Sequence, residues 1–254
     1  MKPTTSLSTE LDKTSFLQNT ASNQIAGWFL DSATVQNGAF VVAVPDSDYQ
    51  VVGSADFNND GKPDFVFQNR ATGQIAIWTM NGTTLAGGNL VAQTPDSDYK
   101  VVSVGDFNGD GKPDIVFQNQ TTHQIAIWFM DGARVIGGQL LALVPGAGYH
   151  VVGTGDFNRD GQTDLLFQDD ASGTMVLWYM NGTRYAGGSV VSAIPQAGYR
   201  VEAVADFDGD GRPDIALRNA YGNIALWHLD DATVFFTEPL SLRLDPAFRI
   251  AGPR

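Results

Sequence analysis

Asp56-Phe57-Asn58-Asn59-Asp60-Gly61-Lys62-Pro63-Asp64 carries oxygen-bearing side chains at its first, third, fifth and ninth positions and glycine at its sixth. Carboxylates on alternate residues of a tight loop can converge on one point, and a hard cation such as calcium takes six to eight oxygens. Gly61 permits the sharp turn that convergence requires. The backbone carbonyl of Lys62, at the seventh position, offers one more oxygen. The flanking stretches, Tyr49-Gln50-Val51-Val52 and Phe65-Val66-Phe67, are rich in β-branched and aromatic residues, so the loop is expected to join two strands. It lacks the helices and the glutamate at position twelve of an EF-hand loop.

The stretch recurs three times. Asp106, Asn108, Asp110, Lys112 and Asp114 form the second set, and Asp156, Asn158, Asp160, Gln162 and Asp164 the third. Asp206, Asp208, Asp210, Arg212 and Asp214 form the fourth. With Asp56, Asn58, Asp60, Lys62 and Asp64 they make four expected calcium sites of structural role. The first aspartates fall at 56, 106, 156 and 206, a period of fifty residues. A run of Asx-turns needs no metal, but does not account for aspartate at every ninth position.

A repeat of this length points to a solenoid, a propeller or an array. Tryptophans at 28, 78, 128, 178 and 227 extend the register to five units. Each unit holds four strand signals, in the second unit near Tyr49–Ser54, Asp64–Asn69, Gln74–Met80 and Thr83–Thr94, the last interrupted by Gly87-Gly88. Asn81-Gly82, Asp131-Gly132 and Asn181-Gly182 read as two-residue type I′ turns. Four antiparallel strands per unit make a propeller blade, so the expected fold is all-β, a five-bladed propeller. Phe16-Leu17-Gln18-Asn19 matches the second strand of later units, and Phe248-Arg249-Ile250 matches the first. The C-terminal strand should therefore complete the first blade, closing the ring and removing sheet edges. Residues 1–13 are expected to be a flexible N-terminal segment, 14–254 a single ring-shaped domain. The chain is close to five periods long, as a whole monomeric ring would be. Residues 6–14 do not match the loop pattern, hence four sites rather than five.

The formal charge of the 254-residue chain is −13, and 13 of its 28 acidic residues lie in the four loops. Four calcium ions would bring the charge to about −5. Such acidity without a basic run argues against nucleic acid as partner. There is no cysteine, hence no disulfide framework. No apolar run is long enough for a membrane span, and Met1–Thr9 lacks the apolar region of a secretory signal. Calcium loops fill most readily outside the cell, which favours an extracellular or cell-surface location.

The run D-F-N-x-D-G-x-x-D, followed by a β segment and I-A-I-W-x-M-N-G, resembles the bacterial FG-GAP/VCBS-type repeat over about residues 14–252. It is similar to the calcium-bearing blades of integrin α propellers and of a class of fungal lectins. The resemblance implies a calcium-binding propeller. Those relatives are usually seven-bladed, whereas this chain supplies five units. Members bind proteins or glycans, so the resemblance leaves the ligand open.

Alternation places Ala76, Trp78 and Met80 on one strand face, Ile75 and Ile77 on the other. The tryptophans then serve blade-to-blade packing or act as sugar-stacking platforms between blades. His123 aligns with Asn23, Gly73, Gly173 and Gly222, residues tolerant of positive φ, and reads as a turn residue. His150 aligns with Gln50, Lys100 and Arg200. His228 stands where Thr79, Phe129 and Tyr179 stand elsewhere. An active site needs residues that break the repeat. The unique acids are Glu202, Asp169, Asp170, Glu238 and Asp245, and Arg218, in place of a recurrent glutamine, is expected to pair with Glu202 or another local acid. A hydrolase using two carboxylates is thus one alternative. The favoured reading is a non-catalytic, calcium-stabilised, multivalent carbohydrate-binding module. A protein-binding scaffold is the other alternative.

Overall fold

The computed structural model describes residues 14–19, 21–31, 34–41, 46–93, 95–196, 198–243, 245 and 247–250. Residues 1–13, with the expected flexible segment and the absent fifth loop, lie outside them. Twenty strands form five four-stranded antiparallel sheets, and the described residues hold no helix. Blade 1 contains β1 (Thr14–Asn19), β2 (Ile25–Asp31) and β3 (Thr34–Phe40). Blade 2 is β4 (Tyr49–Ala55), β5 (Asp64–Asn69), β6 (Ile75–Asn81) and β7 (Thr84–Leu90). Blade 3 follows with β8 (Tyr99–Gly105), β9 (Asp114–Asn119), β10 (Ile125–Asp131) and β11 (Arg134–Leu140). Blade 4 has β12 (Tyr149–Gly155), β13 (Asp164–Asp169), β14 (Met175–Asn181) and β15 (Arg184–Val190). Blade 5 has β16 (Tyr199–Ala205), β17 (Asp214–Asn219), β18 (Asn223–Asp230) and β19 (Thr233–Arg243).

The C-terminal β20 (Phe248–Ile250) pairs antiparallel with β1, Gln18 opposite Arg249, and so completes blade 1 as expected. The first strands of successive blades pack together, β4 on β8, β8 on β12, β12 on β16 and β16 on β20. Gly53 allows one such approach, since a Cβ there would lie 2.9 Å from Val104.

The core lies between blades rather than within them. Ile77 and Val66 of blade 2 cluster with Val104, Ile115 and Met130 of blade 3, and equivalent clusters fill the other interfaces. Ala76 and Met80 belong to the cluster shared with blade 1, so the two faces of β6 divide as the alternation predicts. Each sheet thus buries both faces, which explains second strands such as Asp114–Asn119 that are buried at every position.

A bulge at Val52, Val102, Val152 and Glu202 shifts the register of every loop-bearing first strand. Another between the third and fourth strands follows the residue after the tryptophan. Asn81 pairs with Thr84, so the hairpin loop is Gly82-Thr83, one residue later than expected. Only Gly82 has positive φ (63°), the pattern of a II′ rather than a I′ turn.

Candidate functional site

The four loops sit at one end of the ring, each joining the first strand of a blade to its second. The phenylalanine at position two, Phe57, Phe107, Phe157 or Phe207, is buried between blades and anchors the loop. Gly61, Gly111, Gly161 and Gly211 hold φ of 79–82°, as the turn requires. The first aspartate accepts the N–H of this glycine, at 2.7 Å for Asp56 and 2.8 Å for Asp106. The residue at position three accepts from the N–H of position five, and position five from that of position seven.

Position nine is buried. Asp64 Oδ2 accepts from the N–H groups of Phe57 and Asn58, and Oδ1 from that of Met80 on the third strand. Asp114 and Asp164 hold Met130 and Met180 likewise. The recurrence of aspartate here therefore has a cause the sequence reading lacked, since this carboxylate ties the loop to the blade whether or not a cation is near. Burial pushes the Asp114 and Asp164 carboxyls up to about 6, and raises Asp64 and Asp214 as well.

The seventh position carries Lys62, Lys112, Gln162 and Arg212, whose side chains reach the hairpin between the third and fourth strands, although Arg212 also approaches Asp210 of its own loop at 3.6 Å. Lys62 Nζ donates to Asn81 Oδ1 at 2.7 Å, and Lys112 Nζ meets Asp131 at 2.5 Å. Gln162 accepts from Gly182 N–H, and Arg212 reaches Asp230 at 3.7 Å. A basic side chain is thus compatible with a loop that contributes only a carbonyl at this position. In the fourth loop, carboxylate oxygens of Asp206, Asp208 and Asp210 lie within 4.8 Å of one another. The first three loops offer oxygen donors only, a set suited to a hard cation.

Three clefts lie between blades, each lined by a tryptophan. One of 380 Å³ joins Gln93 of blade 2 to Trp128, Gly138 and Gln139 of blade 3. The next, of 520 Å³, joins Gln139–Leu143 to Trp178, Arg184 and Tyr185 of blade 4. The third, of 420 Å³, joins Ile194–Gln196 to Trp227 and Thr237 of blade 5. Phe67, Phe117 and Phe167 support Trp78, Trp128 and Trp178, with ring centroids 4.7 Å apart. Gly88 and Gly138 leave space for the indoles, because a Cβ would come 2.9 and 3.3 Å from Trp78 and Trp128 Cδ1. Trp128 and Trp178 are half-buried, so packing and cleft lining coexist in them. The sequence reading missed a row of exposed apolar residues, Phe40, Leu90, Leu140 and Val190, which close the fourth strands at 57, 63, 54 and 62% exposure, Leu140 lining two of the clefts. Their recurrence every fifty residues was the available signal.

The acids that break the repeat do not gather into one site. Glu202 ion-pairs with Arg218 at 3.6 Å, the pairing expected. Asp170 meets His150 Nε2 at 3.0 Å, while Asp169 accepts from Ser172 and Asp245 from the Ala247 N–H. Glu238 approaches His228. A cavity of 420 Å³ lined by Gln50, Lys100, His150 and Arg249 has no carboxylate in its lining. His123 has φ 59°, Asn23 58° and Gly73 73°, so the histidine is the turn residue its alignment indicated. Among the described residues, no helix is long and apolar enough to cross a membrane.

The family described as FG-GAP-like repeat matches residues 56–117 and 156–217. Each match runs from a loop's first aspartate to the second strand of the next blade. Among solved structures, the fold is similar to a chain of a nidogen/laminin complex, with 14% identity and a TM-score of 0.51, over 94% of this chain and 96% of that one. A chain of the Photorhabdus luminescens Tc holotoxin pore gives 13% identity and a TM-score of 0.49 over 90% of this chain, which spans 12% of that one. No protein among those of curated function matches. Residues 56–117 and 156–217 are thus FG-GAP-like repeats, set in a propeller of five blades.

Proposed function

We propose that this propeller is a non-catalytic, multivalent binding module whose ligands are glycans seated in the clefts between blades. The observation that carries the reading is the recurrence of a tryptophan-lined cleft at three successive interfaces, at Trp128, Trp178 and Trp227. An indole face suits the apolar side of a sugar ring, while Gln93, Gln139, Arg184, Gln196 and Thr237 offer polar groups to its hydroxyls. Several equivalent weak sites on one rigid ring give avidity without any strong single contact.

Calcium belongs to this reading as a structural ion. The carboxylates and amide oxygens at loop positions one, three, five and nine, with the carbonyl at seven, would hold it. When bound it supplies positive charge to carboxylates that burial and mutual repulsion otherwise disfavour. Loops of this kind suit extracellular calcium, so the proposed place of action is outside the cell.

A glycan array probed with the purified protein in millimolar calcium, and again in chelator, tests the reading. Binding to one sugar class is expected, with several sites per chain by titration and a loss of sites in Trp178→Ala. A blank array with folded, calcium-loaded protein would overturn it in favour of a protein-binding scaffold. The exposed apolar residues Phe40, Leu90, Leu140 and Val190 favour that second reading, and the similar fold in a nidogen/laminin complex is compatible with it.

A further inference from the structure

We propose that the fourth loop and the strand beneath it form a site for a divalent cation of the zinc class, held by His228, Asp208 and Asp214. Three departures from the repeat coincide in this blade. Asp208 replaces Asn58, Asn108 and Asn158. His228 replaces Thr79, Phe129 and Tyr179, and Phe236 replaces the glycine opposite that position, Gly87, Gly137 or Gly187.

The three changes act on one point. His228 Nδ1 lies 3.2 Å from Asp214 Oδ2 and 3.3 Å from Asp208 Oδ2. The three donor atoms all lie within 4.8 Å of one another. A lone Nδ1 proton serves one carboxylate well, not two. A zinc-class ion with bonds of about 2.0–2.2 Å spans tetrahedral ligand atoms about 3.3 Å apart, so one cation can bridge all three with little movement. His228 is 4% and Asp214 1% exposed, whereas Asp208 is exposed and leaves a path of entry.

The ring is also held in place. Phe236 stacks on it at 5.5 Å and 28°, on the strand where blades 2 to 4 have glycine. Its second nitrogen, Nε2, lies 3.9 Å from Glu238 Oε2. That distance is beyond a hydrogen bond, so the Phe236 stack is what orients the ring. The imidazole nitrogen selects the class of ion, because calcium prefers oxygen alone while imidazole suits zinc and its neighbours.

The inference extends the reading of the loops as cation sites to the identity of the fourth ion. The test uses the full chain, stripped with chelator and returned to millimolar calcium, titrated with Zn²⁺ against a chromophoric indicator. One Zn²⁺ per chain, not displaced by excess calcium, is expected. His228→Phe, which installs the residue found at Phe129, should abolish that uptake. No zinc bound, or equal uptake in wild type and variant, overturns the site. Asp208→Asn recreates the other loops at an exposed position and should also weaken uptake, giving the comparison should His228→Phe not fold. Calcium titration of the same samples separates the readings. Zinc bound through His228 without calcium at the other loops would remove the calcium reading alone. Calcium bound without such zinc would remove this one alone.

Discussion

Gln118 of blade 3 grips Tyr149 of blade 4 by its backbone. Its Nε2 donates to the Tyr149 carbonyl and its Oε1 accepts the Val151 N–H, each at 3.0 Å. Gln18 and Gln68 make the same pair of bonds to Tyr49 and Val51 and to Tyr99 and Val101. Gln168 keeps the bond to Val201 and turns its nitrogen to Gly173. An amide side chain here continues the sheet's hydrogen bonding across a boundary where no strand pairing is possible.

Gln118→Leu should therefore be costly although it keeps side-chain size. It leaves a carbonyl and an N–H without partners at a residue of 0% exposure, at about 1–3 kcal/mol for each group. Urea denaturation measures the loss, and Gln120→Ala, at an exposed site, serves as control. A loss below about 0.5 kcal/mol, the level of ordinary surface substitutions, would show that the clamp carries no weight.

Asp114 has a structural duty separable from any cation. In chelator, Asp114→Ala should destabilise the fold by orphaning the N–H groups of Phe107 and Met130, again at about 1–3 kcal/mol each. Equal stability of variant and wild type in chelator would mean that position nine is aspartate for a metal alone.

Calcium itself should act on the first three loops. A site filled at about a hundredfold excess over its Kd adds about 2.7 kcal/mol to a fold that alone binds it. In a domain of this size about 1 kcal/mol moves Tm by about 2–4 °C. Even one filled site then raises Tm by about 5 °C over the chelated protein in calorimetry. Superposed traces would remove calcium from the account.

How much of this was legible in the sequence follows from what repeats. Asp56 and its equivalents, the five tryptophans and the match of Phe248 to Tyr199 set period, blade and closure, because each marks a backbone need that recurs. The clamp was not legible, since a glutamine at Gln118 reads as an ordinary strand residue until the next blade is placed beside it. The Asp208–His228 meeting was missed for a related reason. The two lie twenty residues apart, and only the pairing of β17 with β18 brings them together. The clefts were half-legible, because a tryptophan that packs on Phe117 and one that lines a cavity share one spacing.

Tyr179 gives the blade 4 and 5 junction a response to alkali. Its hydroxyl donates to Asp231, and burial, with that neighbouring carboxylate, pushes the phenol up to about 12. The folded chain holds this proton more tightly than the unfolded one. The contribution is full below about pH 10, the usual phenol value, and is lost as pH rises towards 12. Tyr179→Phe, matching Phe129 in blade 3, should flatten the stability profile in that window. An unchanged slope would show that the phenol titrates normally.

Arg218 closes the ring where the other blades use glutamine. It donates to the Phe248 carbonyl and ion-pairs with Glu202, both side chains largely buried. Glu202 stands at the bulge occupied by Val52, Val102 and Val152, so the two departures from the repeat belong together. Arg218→Gln alone restores the clamp residue but takes the Arg218 charge from the largely buried Glu202 carboxylate, and should cost about 3 kcal/mol. Adding Glu202→Val removes that carboxylate and recreates the pair found at the other interfaces, so the double variant should recover to within about 1 kcal/mol of wild type. Denaturant midpoints for the four proteins of the cycle measure the coupling. Additive losses would mean that Arg218 and Glu202 act independently, and that the seam is held by the β1–β20 pairing instead.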